Sequence, residues 1–480
     1  MKNERKEQKV LIIIGASLIL LGVLANQWVI SGLFAPDGRI ESGLFGAVIL
    51  GLELALIALG ALIIYFRGRR ATKYVADLLV GTLFAVLCTL LLDRLLIVGG
   101  YPADYVGQVA HPANYVETFK NIEFTYEFRT NSQGIRNKET PLQKPESTER
   151  VVVIGDSFTE GVGVEGHETF VSLAEEMRSG PARAIEFLNC GLSGTGPLEQ
   201  ARILFHICMN YEPDAVLLIL HANDVTETFP TSQPSDIEVI SDKTGMAGVI
   251  HALWPRIYTV WETISIQSQQ NSGQEDGGEM NMVGFVAGEA RNRGISEAEI
   301  AAWEKKLPSE LVAATNRQEF NGYILAAGLL QPTYWSDTLE IAGEDAEVRY
   351  QAMISLLNET IARCRARGVP VGAVFAPTPF QYDPNYGDVW RTVGVHTKSS
   401  WAVEPTELEQ RLDAWATEQE LPYLDLTPHY RTLVNGSPQP DLYYPIDGHW
   451  TAKGHQVAAE QIVQWLESRS DDFSRPGLDD

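Results

Sequence analysis

Cysteine is scarce in this chain: Cys88, Cys190, Cys208 and Cys364 are the only four among 480 residues. None forms a CxxC pair and none has metal-ligand spacing, which leaves no basis for a cysteine-held metal or dithiol centre. Cys88 lies in an apolar helical stretch. The other three fall in stretches that read as core strand or helix, where a thiol behaves as a small hydrophobe. Whether two of them pair stays open, because spacing does not show proximity. Positive charge is also short, with 37 Lys and Arg against 62 Asp and Glu, a net of −25. Residues 1–100 hold 10 basic and 7 acidic residues (+3), so residues 101–480 carry −28. Such a surface repels phosphate backbones, and nucleic acid is excluded as an expected partner. There is no internal repeat.

Long hydrophobic runs are present, and all lie near the start. They cover about 10–30, 43–66 and 74–98. Each is long enough, at ~1.5 Å rise per residue, for a hydrocarbon core of about 30 Å. No clean small-x-small cleavage site follows the first, so it reads as a retained anchor rather than a leader. Lys2, Arg5, Lys6 and Lys9 precede the first run, and Arg67, Arg69, Arg70 and Lys73 separate the second from the third. Basic clusters stay cytoplasmic, which places the 31–42 loop and everything beyond about residue 100 outside. The expected localisation is therefore a multi-pass membrane protein with an extracytoplasmic, periplasmic-type domain. Glu53 reads as a protonated or partner-bonded residue facing the bundle. Asp93 and Arg94 read as interface residues.

From residue 148 the pattern alternates. Apolar strands are expected at 151–155, 185–189, 215–221, 370–376 and 422–426. Helices are expected at 167–179, 197–210, 344–368, 405–419 and 451–468. Continuous apolar strands separated by helices imply an α/β fold: a parallel sheet covered on both faces, with reactive groups at the strands' carboxyl ends. Residues 101–147 read as a connector and 471–480 as a tail. Residues 230–340 interrupt the pattern with a polar stretch at 267–280, HALWPRIYTVW at 251–261 and a helix at 296–305. So long an insertion reads as a lid or substrate-cleft subdomain, or else as a mobile surface excursion.

Four motifs fall at strand ends. Gly155-Asp156-Ser157 follows the first strand; the G-x-S-x-G elbow would need glycine where Thr159 stands, which disfavours the α/β-hydrolase fold. Asn189-Cys190-Gly191-Leu192-Ser193-Gly194 follows the second, where Gly191 or Gly194 could offer a backbone oxyanion donor. His221-Ala222-Asn223-Asp224 follows the third, with the Asn223 amide as a further donor. Asp447-Gly448-His449-Trp450 stands near the end, and supplies a base and its orienting acid from one loop. His455 reads as a helix or cap residue, against a metal site made with Asp447 and His449.

Taken together, these motifs resemble the SGNH (GDSL-type) hydrolase superfamily over residues 148–470. The resemblance implies a three-layer, flavodoxin-like fold and Ser157 as nucleophile. It implies Ser157 N–H, Gly194 and Asn223 as the oxyanion hole, and Asp447 and His449 as the rest of a triad, with no cofactor and no metal. His221 stands where the superfamily usually has glycine. The D-x-H-W ending, in place of D-x-x-H, is similar to that of the alginate-acetylation proteins and related polysaccharide O-acetyltransferases. The implied activity is hydrolysis or transfer of acyl, foremost acetyl, esters, with an extracytoplasmic glycan as candidate substrate and the lipid bilayer as second partner. Trp254, Trp261, Trp335, Trp390 and Trp401 are candidate sugar platforms. The alternative is a catalytically silent, glycan-binding scaffold in an envelope-polysaccharide assembly.

Overall fold

The structure, a computed structural model, describes residues 2–24, 43–96, 110–179, 184–238, 281–434 and 441–473, apart from 318 and 321, together with 250, 253, 254, 256 and 257. The 31–42 loop, Trp261, the 267–280 stretch and most of the tail lie outside the described residues. The chain forms two units, Met1–Ala103 with Thr244–Trp261, and Asp104–Lys243 with Glu262–Asp480.

The first unit contains helices Lys2–Leu24, Gly43–Tyr65 and Arg70–Leu95. Gly15 and Gly60 let the first two approach closely: a Cβ on Gly60 would lie 2.4 Å from the Gly15 carbonyl. Among the described residues, no helix is long and apolar enough to cross a membrane, so the three expected spans are not supported here. The middle helix, GLFGAVILGLELALIALGALIIY, nevertheless carries one carboxyl side chain, Glu53, which is half-buried. Asp93 departs from its interface reading. It is fully buried, and its Oδ1 accepts the Arg256 and Ile257 amides at 2.8 and 2.9 Å. The expected 230–340 insertion is thus divided, part returning to the first unit and part building the second.

The second unit is an α/β domain. Its strands are β1 (Val116–Lys120), β2 (Thr125–Arg129), β3 (Thr148–Ile154), β4 (Ala184–Asn189), β5 (Ala215–His221), β6 (Val371–Ala376) and β7 (Tyr423–Asp425). The last five form one parallel sheet in the order β4-β3-β5-β6-β7. Side chains alternate across it. Val152, Ile154, Leu188, Val216 and Leu218 face one core, under helices that include Pro197–His206 and Glu344–Ala366. Val151, Val153, Phe187, Leu217 and Ile219 face the other, under Phe170–Arg178 and Ala452–Ser468. Burial on both faces explains why these strands are apolar throughout. The chain leaves β3 toward β4 on one side and returns to β5 on the other. That reversal opens a crevice at the carboxyl ends of β3, β4 and β5.

Residues 101–147 are more than a connector. Their alternating VETFK and TYEFR segments pair as the antiparallel β1–β2 hairpin. Cys190 is bonded to Cys208 at a Cα–Cα distance of 6.8 Å, and both are fully buried.

Candidate active site

Ser157 begins a short helix, Ser157–Glu160, directly beyond β3. Gly155 is required by closeness, since a Cβ there would meet Thr159 Oγ1 at 2.3 Å and Ile219 at 3.0 Å. Asp156 caps the helix, its Oδ1 accepting the Phe158 amide at 2.9 Å. The GDS run therefore holds the serine at a sharp strand-to-helix turn facing the crevice.

The other partners arrive on the loop before the last helix. Tyr443 and Trp450 pair across its base, and the Tyr444 amide donates to the His449 carbonyl at 2.9 Å. Gly448 adopts φ +86°, a conformation that side-chain-bearing residues avoid. That curl lets Asp447 Oδ1 accept from both the His449 amide (3.3 Å) and His449 Nδ1 (2.5 Å). His449 Nε2 then lies 2.7 Å from Ser157 Oγ. The two-residue Asp–His spacing is thus sufficient for a hydrogen-bonded Asp447–His449–Ser157 chain. Trp450, 1 % exposed, packs edge-on against Phe158 and stacks on Tyr430, anchoring the loop to the sheet's cover. Burial opposes charge on His449, but the Asp447 carboxylate, with Asp156 and Glu160 behind it, outweighs this and raises the imidazole above its ordinary 6.5.

The glycine block resolves into two roles. Gly191 is a packing glycine: a Cβ there would sit 2.2 Å from the Glu160 amide nitrogen, and its own N–H donates to Asn189 Oδ1 at 3.0 Å. Gly194 adopts φ +69°, borders the cavity, and a Cβ there would meet nothing within 4 Å. Of the two, only Gly194 is placed to offer a backbone N–H to a bound oxyanion. Asn223, at the end of β5, borders the same cavity.

His221 accompanies it. Its ring stacks on Phe158 with centroids 4.2 Å apart, and Nδ1 lies 2.6 Å from Asn223 Oδ1. A proton on Nδ1 makes His221 the donor to Asn223 Oδ1, which leaves the Asn223 NH2 as the end of the amide that can donate elsewhere. Burial holds His221 below its ordinary value, with Asp156 opposing. In place of glycine, this chain has a residue that fixes the amide's orientation.

Sequence reading missed Glu123, at the β1–β2 turn. Its carboxylate accepts the Ile446 and Asp447 amides at 2.9 and 2.7 Å, bracing the loop that carries the acid and the base. Alternating polarity in VETFK and TYEFR could have revealed the hairpin, but nothing local pointed to Glu123.

His455 lies away from the serine. Its Nδ1 accepts the Phe170 amide at 3.2 Å, and burial, reinforced by Arg136 and His449, lowers it to about 3. Among the described residues, no cluster of three or more His, Cys, Asp or Glu is arranged to hold a metal.

Beside Ser157 lies a cavity of about 430 Å³. The insertion contributes Phe320, Tyr323, Ile324, Tyr334 and Trp335 to its wall, and Trp390 borders it as well. Trp401 is buried instead, its indole N–H donating to Glu340 at 2.9 Å. Trp254 belongs to the first unit, where it donates to Thr89 at 2.9 Å.

No family model and no curated protein matches this chain. Solved structures do. A catalytic mutant of an acetylxylan esterase from Geobacillus stearothermophilus is 12% identical, with 68% of this chain and 96% of that chain covered, at a TM-score of 0.32. The acetyl xylan esterase AlAXEase is 9% identical, with 66% and 98% covered, at 0.31. A two-domain esterase active on acetylated mannans is 13% identical, with 68% and 51% covered, at 0.28. At such scores the chemistry must be argued from the distances above.

Proposed function

We propose that this chain is a serine-dependent ester hydrolase or O-acyltransferase of the SGNH type, acting on acyl and foremost acetyl esters. The observation that carries the reading is the continuous chain from Asp447 through His449 to Ser157, at 2.5 and 2.7 Å. Ser157 Oγ attacks the ester carbonyl while His449 Nε2 takes its proton. The Ser157 and Gly194 N–H groups and the Asn223 amide stabilise the oxyanion. Collapse breaks the ester bond, and the protonated His449 returns its proton to the departing alkoxide. Water or a sugar hydroxyl, deprotonated in turn by His449, then takes the acyl group. Hydrolysis and transfer differ only in which acceptor the cavity admits.

A glycan outside the cytoplasm is the substrate this reading favours, with residues 1–100 as membrane anchor. The apolar runs, the basic clusters that flank them and the buried Cys190–Cys208 bond, typical of oxidising compartments, support that placement. Retention in the membrane pellet after alkaline carbonate would support the anchor; release to the supernatant would refute it.

The catalytic reading is tested on the full chain in detergent, with p-nitrophenyl acetate alone and with an oligosaccharide acceptor. Ester turnover that disappears in Ser157→Ala and His449→Ala is expected, and acetylated oligosaccharide would select transfer. Absence of turnover from any short-chain ester, together with no labelling of Ser157 by a fluorophosphonate, would leave the silent scaffold as the better reading.

A further inference from the structure

The cavity beside Ser157 has two kinds of lining. Phe320, Trp335, Phe380 and Trp390 supply aromatic side chains. Glu227 offers a half-buried carboxyl, from the short helix Asp224–Glu227 that follows Asn223. Near it, Tyr334 is hydrogen-bonded to Tyr323 and Thr226. The acyl-transfer chemistry makes no use of Glu227, Tyr323 or Tyr334. Among the described residues that line the cavity there is no lysine or arginine. Arg349, whose charge acts on Glu227, is committed elsewhere: Nε donates to Asp345 at 2.6 Å and Nη1 to the Thr226 and Thr228 carbonyls.

We infer that this cavity receives the alcohol half of the ester as an uncharged, hydroxyl-bearing ring, with Glu227 accepting ring hydroxyls and rejecting uronates and phosphate esters. The inference rests on the ester-transfer reading of Ser157 and names its substrate class. An acetyl group fills a small fraction of about 430 Å³, so most of the space belongs to the other half of the substrate. A long aliphatic chain would desolvate Glu227 and give its oxygens no donor. A sugar ring matches both linings: its C–H faces lie on aromatic rings and its hydroxyls donate to the carboxylate. An anionic ring would bring a further carboxylate toward Glu227, Asp156 and Asp447 with no lysine or arginine among the described lining residues to receive it. This departs from what the D-x-H-W resemblance alone would suggest, because alginate is a polyuronate.

The test compares methyl 2-O-acetyl-glucopyranoside with the matching methyl 2-O-acetyl-glucuronide at about pH 7, where the uronate is ionised. The wild-type full chain is expected to favour the neutral ester in kcat/KM by at least about tenfold. Glu227→Gln keeps the shape without the charge, and is expected to bring that ratio within about threefold of unity. Should the variant fold poorly, inhibition of wild-type p-nitrophenyl acetate turnover decides: methyl glucoside should compete and methyl glucuronide should not. Equal use of the two esters, a ratio unmoved by Glu227→Gln, or turnover of p-nitrophenyl acetate with neither sugar accepted or bound would overturn the inference. Loss of Ser157-dependent p-nitrophenyl acetate turnover would instead strike the ester reading itself.

Discussion

Glu123 gives the sharpest test of how the site is held. It touches neither the serine nor the reacting atoms, yet its two carboxylate oxygens take the amides of Ile446 and Asp447. The turn that carries Glu123 is itself set by the Asn121 side chain, whose Oδ1 accepts the Glu123 and Phe124 backbone amides at 2.7 and 2.8 Å. Bonds from amides to a charged acceptor are worth ~1.5–3 kcal/mol each. Burial offsets part of that here, because it pushes the Glu123 carboxyl above its ordinary value. Glu123→Ala removes both acceptors. The loop keeps other ties, among them Tyr386 Oη to the Tyr444 carbonyl and Trp390 Nε1 to the Ile446 carbonyl, at 2.8 and 2.9 Å. It should therefore loosen rather than collapse.

A shift of ~1 Å in a positioned catalytic group costs on the order of a hundredfold. Partial loosening should lower kcat for p-nitrophenyl acetate by about 10- to 100-fold, with a smaller effect on KM, because only the Ile446–His449 part of the cavity wall rides on this loop. Glu123→Gln should fall nearly as far, since its NH2 must face one of the two amide donors. The rate of Ser157 labelling by a fluorophosphonate should drop in parallel. If Glu123→Ala folds with an unchanged melting temperature and retains kcat/KM within about twofold, the bracing argument is wrong.

Two pH-dependent outcomes follow from the histidines. His449 must be neutral to accept the Ser157 proton, and its surroundings raise it above 6.5, so the acid limb of kcat/KM should lie above that value. Asp447→Asn should move what activity remains toward a lower limb; a limb below 6.5 in the wild type would contradict the assigned surroundings. His455 has the opposite sign: it is held neutral, lowered to about 3 in the fold, while an unfolded chain protonates it near 6.5. Its contribution is present above 6.5 and is lost as pH falls toward 3, by at most about 1.4 kcal/mol per pH unit. In urea melts, His455→Asn should flatten that acid loss; an unchanged acid slope would refute it.

What was legible in the sequence was what repeats or stays local. The five apolar runs read as strands because both faces of the sheet are covered, so no polar alternation interrupts VVVI or AVLLILH. The order of motifs at strand ends identified Ser157, Asn223, Asp447 and His449, which the fold brings together. What was not legible depends on distant pairing. Glu123 acts on residues more than three hundred positions away, and its segment shows only a weak alternating pattern. His221 read as a departure from glycine, but its bond to Asn223 becomes visible only once the ring is stacked on Phe158. Asp93 read as an interface residue because its amide partners at 256 and 257 lie far along the chain.

The two glycines of the second motif give a contrast that the residues alone did not rank, although the resemblance pointed to Gly194. Both stand in one NCGLSG run, and either could have been the oxyanion donor. At Gly191 the obstacle is backbone: a methyl would meet the Glu160 nitrogen at 2.2 Å and the Thr159 carbonyl carbon at 2.6 Å. Neither atom can yield without moving the helix that begins with Ser157. That helix is also tied to this strand end by Asn189 Nδ2, which donates to the Thr159 carbonyl at 2.8 Å. At Gly194 there is space, and the obstacle is conformational, a φ of +69°. Overpacking against backbone costs ~1–3 kcal/mol or more, whereas one left-handed alanine costs ~1–2 kcal/mol. Gly191→Ala should therefore lose more stability than Gly194→Ala, and should lose activity with it because Ser157 moves. Thermal melts of the two variants check the order. Equal losses, or a larger loss at Gly194, would mean that the β4 end does not press against the nucleophile's helix as described.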